Sequence, residues 1–158
     1  MLRTVLGRRS FHSTFLNRAE KTASPDFNVE TASQHLGVSF TTPNLLQRAL
    51  THKSFKHGTV PTNERLEFLG SRVVSLLATE QAVKNNAVDL KEQVVTQTSA
   101  TNLAHLFDTL NLESGLQYHL PDGVTPKVKA NVYKAVVGAV YHDKGFSAAR
   151  EFVQKHLS

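Results

Sequence analysis

The chain contains no cysteine, no tryptophan, one methionine and five prolines. Without cysteine, disulfides, zinc–thiolate sites and thiol nucleophiles are excluded. No uninterrupted apolar run approaches the ~20 residues that cross a bilayer, so no membrane span is expected. No segment alternates convincingly with a period of two, which leaves little room for strands. Internal repeats and low-complexity tracts are also lacking. Eight histidines are scattered, with no pair at metal-ligand spacing. His52 and His57 read as loop or helix-end residues with hydrogen-bonding or surface roles. Acid is missing from one region in particular. Residues 1–18 hold Arg3, Arg8, Arg9 and Arg18 and no carboxylate, a charge of +4, while residues 19–158 hold 14 Lys and Arg against 13 Asp and Glu, a charge of +1.

What is present is helical periodicity. At 158 residues the chain suffices for one domain with its own core. Phe27 to Leu36 reads as a short amphipathic helix with Gly37 just past its end. Thr42-Pro43 reads as an N-cap followed by proline in the first turn, opening a helix over Asn44–Leu50. Residues 55–62, with Gly58 and Pro61, form a loop. A long helix is expected from Thr62 or Asn63 to about Asn85, with its apolar stripe on Leu66, Leu69, Val73, Leu76 and Leu77. Leu90 to about Leu110 reads as one helix, polar in its middle. Pro121-Asp122-Gly123 marks a turn, and Lys127–His142 is a further apolar helix. Gly145 precedes a last helix, Ser147–Leu157, expected to be capped by Ser147 and buried through Ala148, Phe152 and Val153. The fold class is all-α, a helical bundle.

The stretch Asn63-Glu64-Arg65-Leu66-Glu67-Phe68-Leu69-Gly70-Ser71 resembles the signature of the ribonuclease III family, Asn-Glu-Arg-Leu-Glu-Phe-Leu-Gly-Asp, at every position but the last. The stretch Ala130-Asn131-Val132-Tyr133-Lys134-Ala135-Val136-Val137-Gly138 resembles the family's Ala-Asp-x-x-Glu-Ala-x-x-Gly. Further similarity lies in Ala49-Leu50-Thr51-His52-Lys53-Ser54 and in the closing helix after Gly145. The resemblance implies the ribonuclease III endonuclease-domain fold. It also implies that Glu67, Ser71, Asn131 and Lys134 stand where the family gathers four carboxylates around catalytic metal. Glu67 and Ser71, at i and i+4, share a helix face, as do Asn131 and Lys134 at i and i+3. Two-metal hydrolysis needs anionic oxygens around two divalent cations, and magnesium prefers hard oxygen ligands. Glu67 and Lys134 together sum to zero charge. The centre therefore reads as degenerate, with no catalytic residue, no metal and no cofactor, and with Glu67 facing Lys134 as a salt bridge.

The family resemblance also places the signature helix at a dimer interface, with Phe68 inserted into the partner and Glu64 and Leu69 beside it. The competing position for Phe68 is beneath its own loop, around Phe55 and Val60. Lys53, Lys56, Lys127 and Lys129 are the candidates for RNA contact. Residues 1–25, arginine-rich and acid-poor, have the composition of a mitochondrial presequence, with the domain over residues 26–158 and no double-stranded-RNA-binding domain following it. With that leader, the closest resemblance is to fungal mitochondrial large-subunit ribosomal proteins made of a lone, degenerate domain of this family. The expectation is a non-enzymatic pseudoenzyme of the mitochondrial matrix, a structural component of the large ribosomal subunit. It would bind mitochondrial rRNA, other large-subunit proteins and a second ribonuclease III-like ribosomal protein as a heterodimer. The alternatives are an active mitochondrial double-stranded-RNA endoribonuclease and a non-catalytic RNA-processing or assembly factor.

Overall fold

The computed structural model describes residues 21–22 and 28–157. Most of the expected presequence lies outside these described residues. Seven helices carry the fold: α1 (Val29–Leu36), α2 (Pro43–Ala49), α3 (Glu64–Lys84), α4 (Leu90–Gln97), α5 (Ala100–Thr109), α6 (Pro126–Lys144) and α7 (Phe146–His156). The all-α expectation holds, with one small addition. Two-residue strands β1 (Lys21–Thr22) and β2 (His119–Leu120) pair antiparallel, a patch too short to leave a period in the sequence.

α6 is the axis of the bundle. Val132, Tyr133 and every residue from Ala135 to Val140 are buried, so the helix is apolar nearly all round, as expected of a helix enclosed by others. It packs most extensively on α3, then on α5, α7 and α2. Its N-terminus is closed by Thr125, whose Oγ1 accepts from the Val128 N–H at 3.4 Å. Tyr133 and Phe107 are the largest fully buried side chains, and the Tyr133 ring stacks on Phe152 with centroids 6.3 Å apart.

The α3–α6 crossing has a specific cause. A Cβ on Gly70 would fall 1.7 Å from the Lys134 carbonyl oxygen, and one on Gly138 would fall 2.1 Å from that of Leu66. Two glycines on facing helices let the backbones touch. This contact sets Leu66 and Gly70 of α3 against Gly138 and Lys134 of α6, with Glu67 and Ser71 next to them in sequence.

Local structure departs from the sequence reading in four places. The single helix expected over 90–110 is two. Ser99 adopts an extended conformation and its Oγ accepts from the Asn102 N–H at 3.2 Å, starting α5 afresh, while the Thr98 hydroxyl donates to the Val94 carbonyl at 2.7 Å. Such hydroxyls offer the backbone partners that compete with helix continuation. α7 is not capped by Ser147. Its preceding residue is Gly145 at φ 84°, a conformation that favours glycine, with no side-chain cap bond. Ala149 takes the fully buried place expected for Ala148, which packs only at the core's edge. Thr42 makes no side-chain cap at α2. The Asp143 carboxylate, distant in sequence, accepts from the Thr41 and Thr42 N–H groups at 2.8 and 3.1 Å. On α3, Leu66, Val73 and Leu77 are buried as expected, Leu69 is half-buried, and Leu76 is 51% exposed rather than in the core.

Candidate functional site

Glu67 lies half-buried on α3, one turn before Ser71. Burial raises its pKa, and the positive charges of Lys134, Lys53 and Lys127 partly offset that rise. Glu64 adds to it. The expected Glu67–Lys134 salt bridge is not formed. Lys134 lowers the Glu67 pKa by its charge, with no direct ion pair between the two among the described residues. Ser71 does not face the centre as a free hydroxyl donor, because its Oγ donates to the Phe68 carbonyl at 2.7 Å. Asn131 is half-buried on α6.

Among the described residues no group of three or more His, Cys, Asp or Glu side chains is placed to hold a metal ion. The centre offers one carboxylate, one neutral amide, a hydroxyl turned to its own helix, and an ammonium. A divalent pair requires anionic oxygen donors from several side chains. The residues present do not fit it.

The lysines expected to meet RNA are divided by the fold. Lys53, in the loop after α2, and Lys127, in the first turn of α6, are exposed and act on Glu67 together with Lys134. Lys134 is half-buried on α6. Lys129 instead pairs with Asp108 at 2.7 Å and lies over the Phe107 ring at 5.7 Å, so its charge serves the α5–α6 contact. Lys56 lies over the Phe55 ring at 5.5 Å, on the rim of a groove away from Glu67. Both Lys56 and His57 hold positive φ, 46° and 53°.

His52 is hydrogen-bonded, as its place in the sequence suggested. Its Nδ1 accepts from the Ser54 N–H at 3.2 Å and lies 2.8 Å from the Ser54 Oγ, which in turn accepts from the His119 N–H at 2.9 Å. The Ser54 hydroxyl therefore gives its proton to Nδ1, leaving the His52 Nε2–H tautomer. Burial, helped by Lys53 and opposed by Glu64, lowers the His52 pKa.

Phe68 is 66% exposed, with the Arg72 guanidinium 5.1 Å from its ring centroid. It does not pack under its own loop. Phe55 and Val60 instead line an open groove of about 760 Å³ together with Leu45, Arg48 and Thr51. Glu64 is exposed and accepts from the Thr62 Oγ1 at 3.3 Å, and Leu69 is half-buried.

A helical domain whose paired signature stretches meet across an α3–α6 crossing is a nuclease-type domain. The ribonuclease-III-like family matches residues 42–158, and the chain belongs to that family. Curated relatives include Ribonuclease 3 of Bdellovibrio bacteriovorus, 34% identical over 136 residues, covering 78% of this chain and 58% of the relative. Ribonuclease 3 of Cupriavidus taiwanensis is 36% identical over 140 residues, covering 81% of this chain and 52% of the relative. The chain thus spans little more than half the length of these relatives. Among solved structures, a nuclease domain of ribonuclease III from Campylobacter jejuni, described as flexible in a region involved in dimer formation, superposes with a TM-score of 0.75. It shares 29% identity and covers 82% of this chain and 96% of that one.

These findings correct three expectations. The relatives are Ribonuclease 3 proteins, so the reading as a structural component of a ribosome, and the ribosomal keywords with it, are withdrawn. The non-enzyme and pseudoenzyme readings fall for the same reason. The mitochondrial-matrix location is withdrawn because the relatives are bacterial proteins, and its support came from residues 1–18, outside the described residues. The physical source of the error is one of scale. Three substitutions alter the charge of one centre, whereas the scaffold that places it extends over residues 42–158. Among the described residues no helix is long and apolar enough to cross a membrane.

Proposed function

We propose that this chain is the nuclease-type domain of a ribonuclease III endoribonuclease, spanning residues 26–158, and that it works on double-stranded RNA. The observation that carries the reading is the glycine-mediated α3–α6 crossing, which faces the two signature stretches in a chain similar to Ribonuclease 3 proteins. Cleavage in this reading runs through Glu67, the centre's one carboxylate. Its raised pKa suits a proton acceptor for an attacking water, while the lysines around it offset phosphodiester charge. The finer resemblance, to relatives with an altered centre, is supported by Ser71, Asn131 and Lys134.

Pairing with a second ribonuclease III-type chain, of the same or another sequence, belongs to the same proposal. An exposed Phe68 and an apolar-edged groove on one chain are the two halves of a self-complementary contact. Glu64 and Leu69 flank the aromatic on α3. The C. jejuni nuclease domain, whose description names a dimer-forming region, adds support.

The test is incubation of purified chain with double-stranded RNA, comparing wild type with Glu67→Ala. Cleavage that the variant loses while still binding RNA is the expected result. RNA bound but left uncut by both proteins keeps the substrate class and rejects catalysis. RNA neither bound nor cut rejects the reading as a whole.

A further inference from the structure

We propose that the groove beside α2 is a binding site for a free nucleoside monophosphate. Arg48 and Lys56 take its phosphate, and the apolar wall of Leu45, Phe55 and Val60 takes its base. No residue of α3 or α6 lines this groove, so the proposal does not depend on cleavage at the α3–α6 centre.

The groove has a volume of about 760 Å³, within the range of pockets that hold small molecules. Arg48 and Lys56 both line it, and no carboxylate does. Glu64, which accepts from the Thr62 hydroxyl, lies outside the lining. Neither cation is in an ion pair among the described residues, whereas Lys129, Lys144 and Arg150 are. A phenyl ring from a second chain accounts for the apolar wall but for neither cation. A phosphate monoester carries about two negative charges at neutral pH and matches the pair. The side-chain amides of Asn44, Gln47 and Gln117, also in the lining, offer both donors and acceptors. They suit the polar edges of a heterocycle, and an aliphatic anion would leave them without partners.

The groups that face the ligand are held in place by the fold. Arg48 is half-buried, and its Nε donates to the Thr62 carbonyl at 3.1 Å. That bond orients the guanidinium and leaves its terminal N–H groups as a fork for phosphate oxygens. Lys56 lies over the Phe55 ring at 5.5 Å. It is presented by a turn in which Lys56 and His57, at φ 46° and 53°, are followed by Gly58 at 72°. Successive non-glycine residues in the left-handed region are uncommon, and backbone strain of this kind gathers at ligand sites. Gln117 is fixed through its backbone: its N–H donates to the Leu50 carbonyl at 2.8 Å, and its carbonyl accepts from the His52 N–H at 2.9 Å. Its Oε1 lies 3.1 Å from the buried Thr51 hydroxyl, which leaves the amide N–H groups of the side chain as donors.

The experiment titrates adenosine monophosphate into the isotope-labelled full chain and follows backbone amide resonances, with adenosine, inorganic phosphate and a short RNA duplex as separate arms. The proteins are wild type, Lys56→Gln, Arg48→Gln and Phe68→Ala, each with a thermal melt. Adenosine monophosphate should shift the amides of Thr51, Phe55, Lys56 and Gln117, and adenosine or phosphate alone should bind more weakly. Lys56→Gln should melt as wild type and bind about tenfold more weakly, the loss of one charge-assisted bond to phosphate. Arg48→Gln should weaken binding likewise, and if that variant does not fold, Lys56→Gln decides. Phe68→Ala, which alters no residue of the lining, should bind as wild type does. Nucleotide that shifts these amides while self-association in sedimentation is unchanged supports the ligand site and removes the groove from the pairing reading. No shift of these amides overturns the proposal and leaves pairing intact. So does a Lys56→Gln protein that binds as tightly as wild type. Inorganic phosphate that binds as tightly as the nucleotide, or RNA that shifts the same amides when free nucleotide does not, also overturns it.

Discussion

Gly138→Ala tests the contact on which the whole site depends. The added methyl would sit 2.1 Å from the Leu66 carbonyl oxygen and 3.0 Å from the Gly70 nitrogen, both backbone atoms that no rotamer change can move. Ordinary contact begins near 3.4 Å, so α3 and α6 must separate by more than an ångström. Overpacking of this kind costs about 3 kcal/mol. Alanine's better helix propensity returns about 1 kcal/mol. The expected net loss is about 2 kcal/mol, read in urea denaturation as a lower midpoint with an unchanged slope. In a thermal melt it corresponds to a drop of about 5–8 °C for a domain of this size. A Gly138→Ala protein as stable as wild type, or more stable, would show that propensity outweighs the close approach and that the crossing is not built on glycine.

Four other outcomes follow from particular groups. Phe68→Ala should weaken association by about a hundredfold, equivalent to ~2.7 kcal/mol, while leaving helix content intact; sedimentation equilibrium reads the first and circular dichroism the second. Asp143→Ala removes the acceptor for two N–H groups at the start of α2 and should cost about 2 kcal/mol. Burial tends to raise the Asp143 pKa, but the Thr41 and Thr42 donors and Lys144 outweigh it and hold it below the usual value. Its contribution should therefore be present at neutral pH and disappear as pH falls through that lowered pKa, a loss the Ala variant should not show. Glu67 has the reverse sign: its raised pKa means that folding disfavours the carboxylate. Glu67→Gln should be more stable than wild type at neutral pH, with the difference vanishing once acid neutralises the glutamate, as urea midpoints across pH would reveal. His52 is held neutral by burial and by its bond from Ser54, so stability should decline as pH falls below the ordinary histidine value near 6.5, and His52→Gln should flatten that decline.

The amino-acid sequence by itself was enough for the all-α class, the long α3 and the apolar α6. These are local or periodic properties: the Leu66, Val73 and Leu77 spacing, the unbroken apolar character of residues 135–140, and the i,i+4 relation of Glu67 to Ser71. It also showed that a centre with one carboxylate and a lysine suits divalent cations poorly. It could not show which lysines gather there. Lys127 and Lys129 are two residues apart and look equivalent in sequence, yet helical rotation turns Lys129 to Asp108 and leaves Lys127 near Glu67. The break at Ser99 was hidden because a capping hydroxyl and a tolerated helix hydroxyl are the same residue type, distinguished only by backbone conformation. The cap on α2 was hidden for a different reason: Asp143 reaches it across some hundred residues of chain. Leu76 fits the helical stripe but is exposed, because the helices packed on α3, chiefly α6, cover only part of the face that periodicity defines. Tertiary structure decides wherever the partner of a charge, a hydrogen bond or an apolar face is supplied by a distant segment, as Asp143 of α6 supplies the cap of α2.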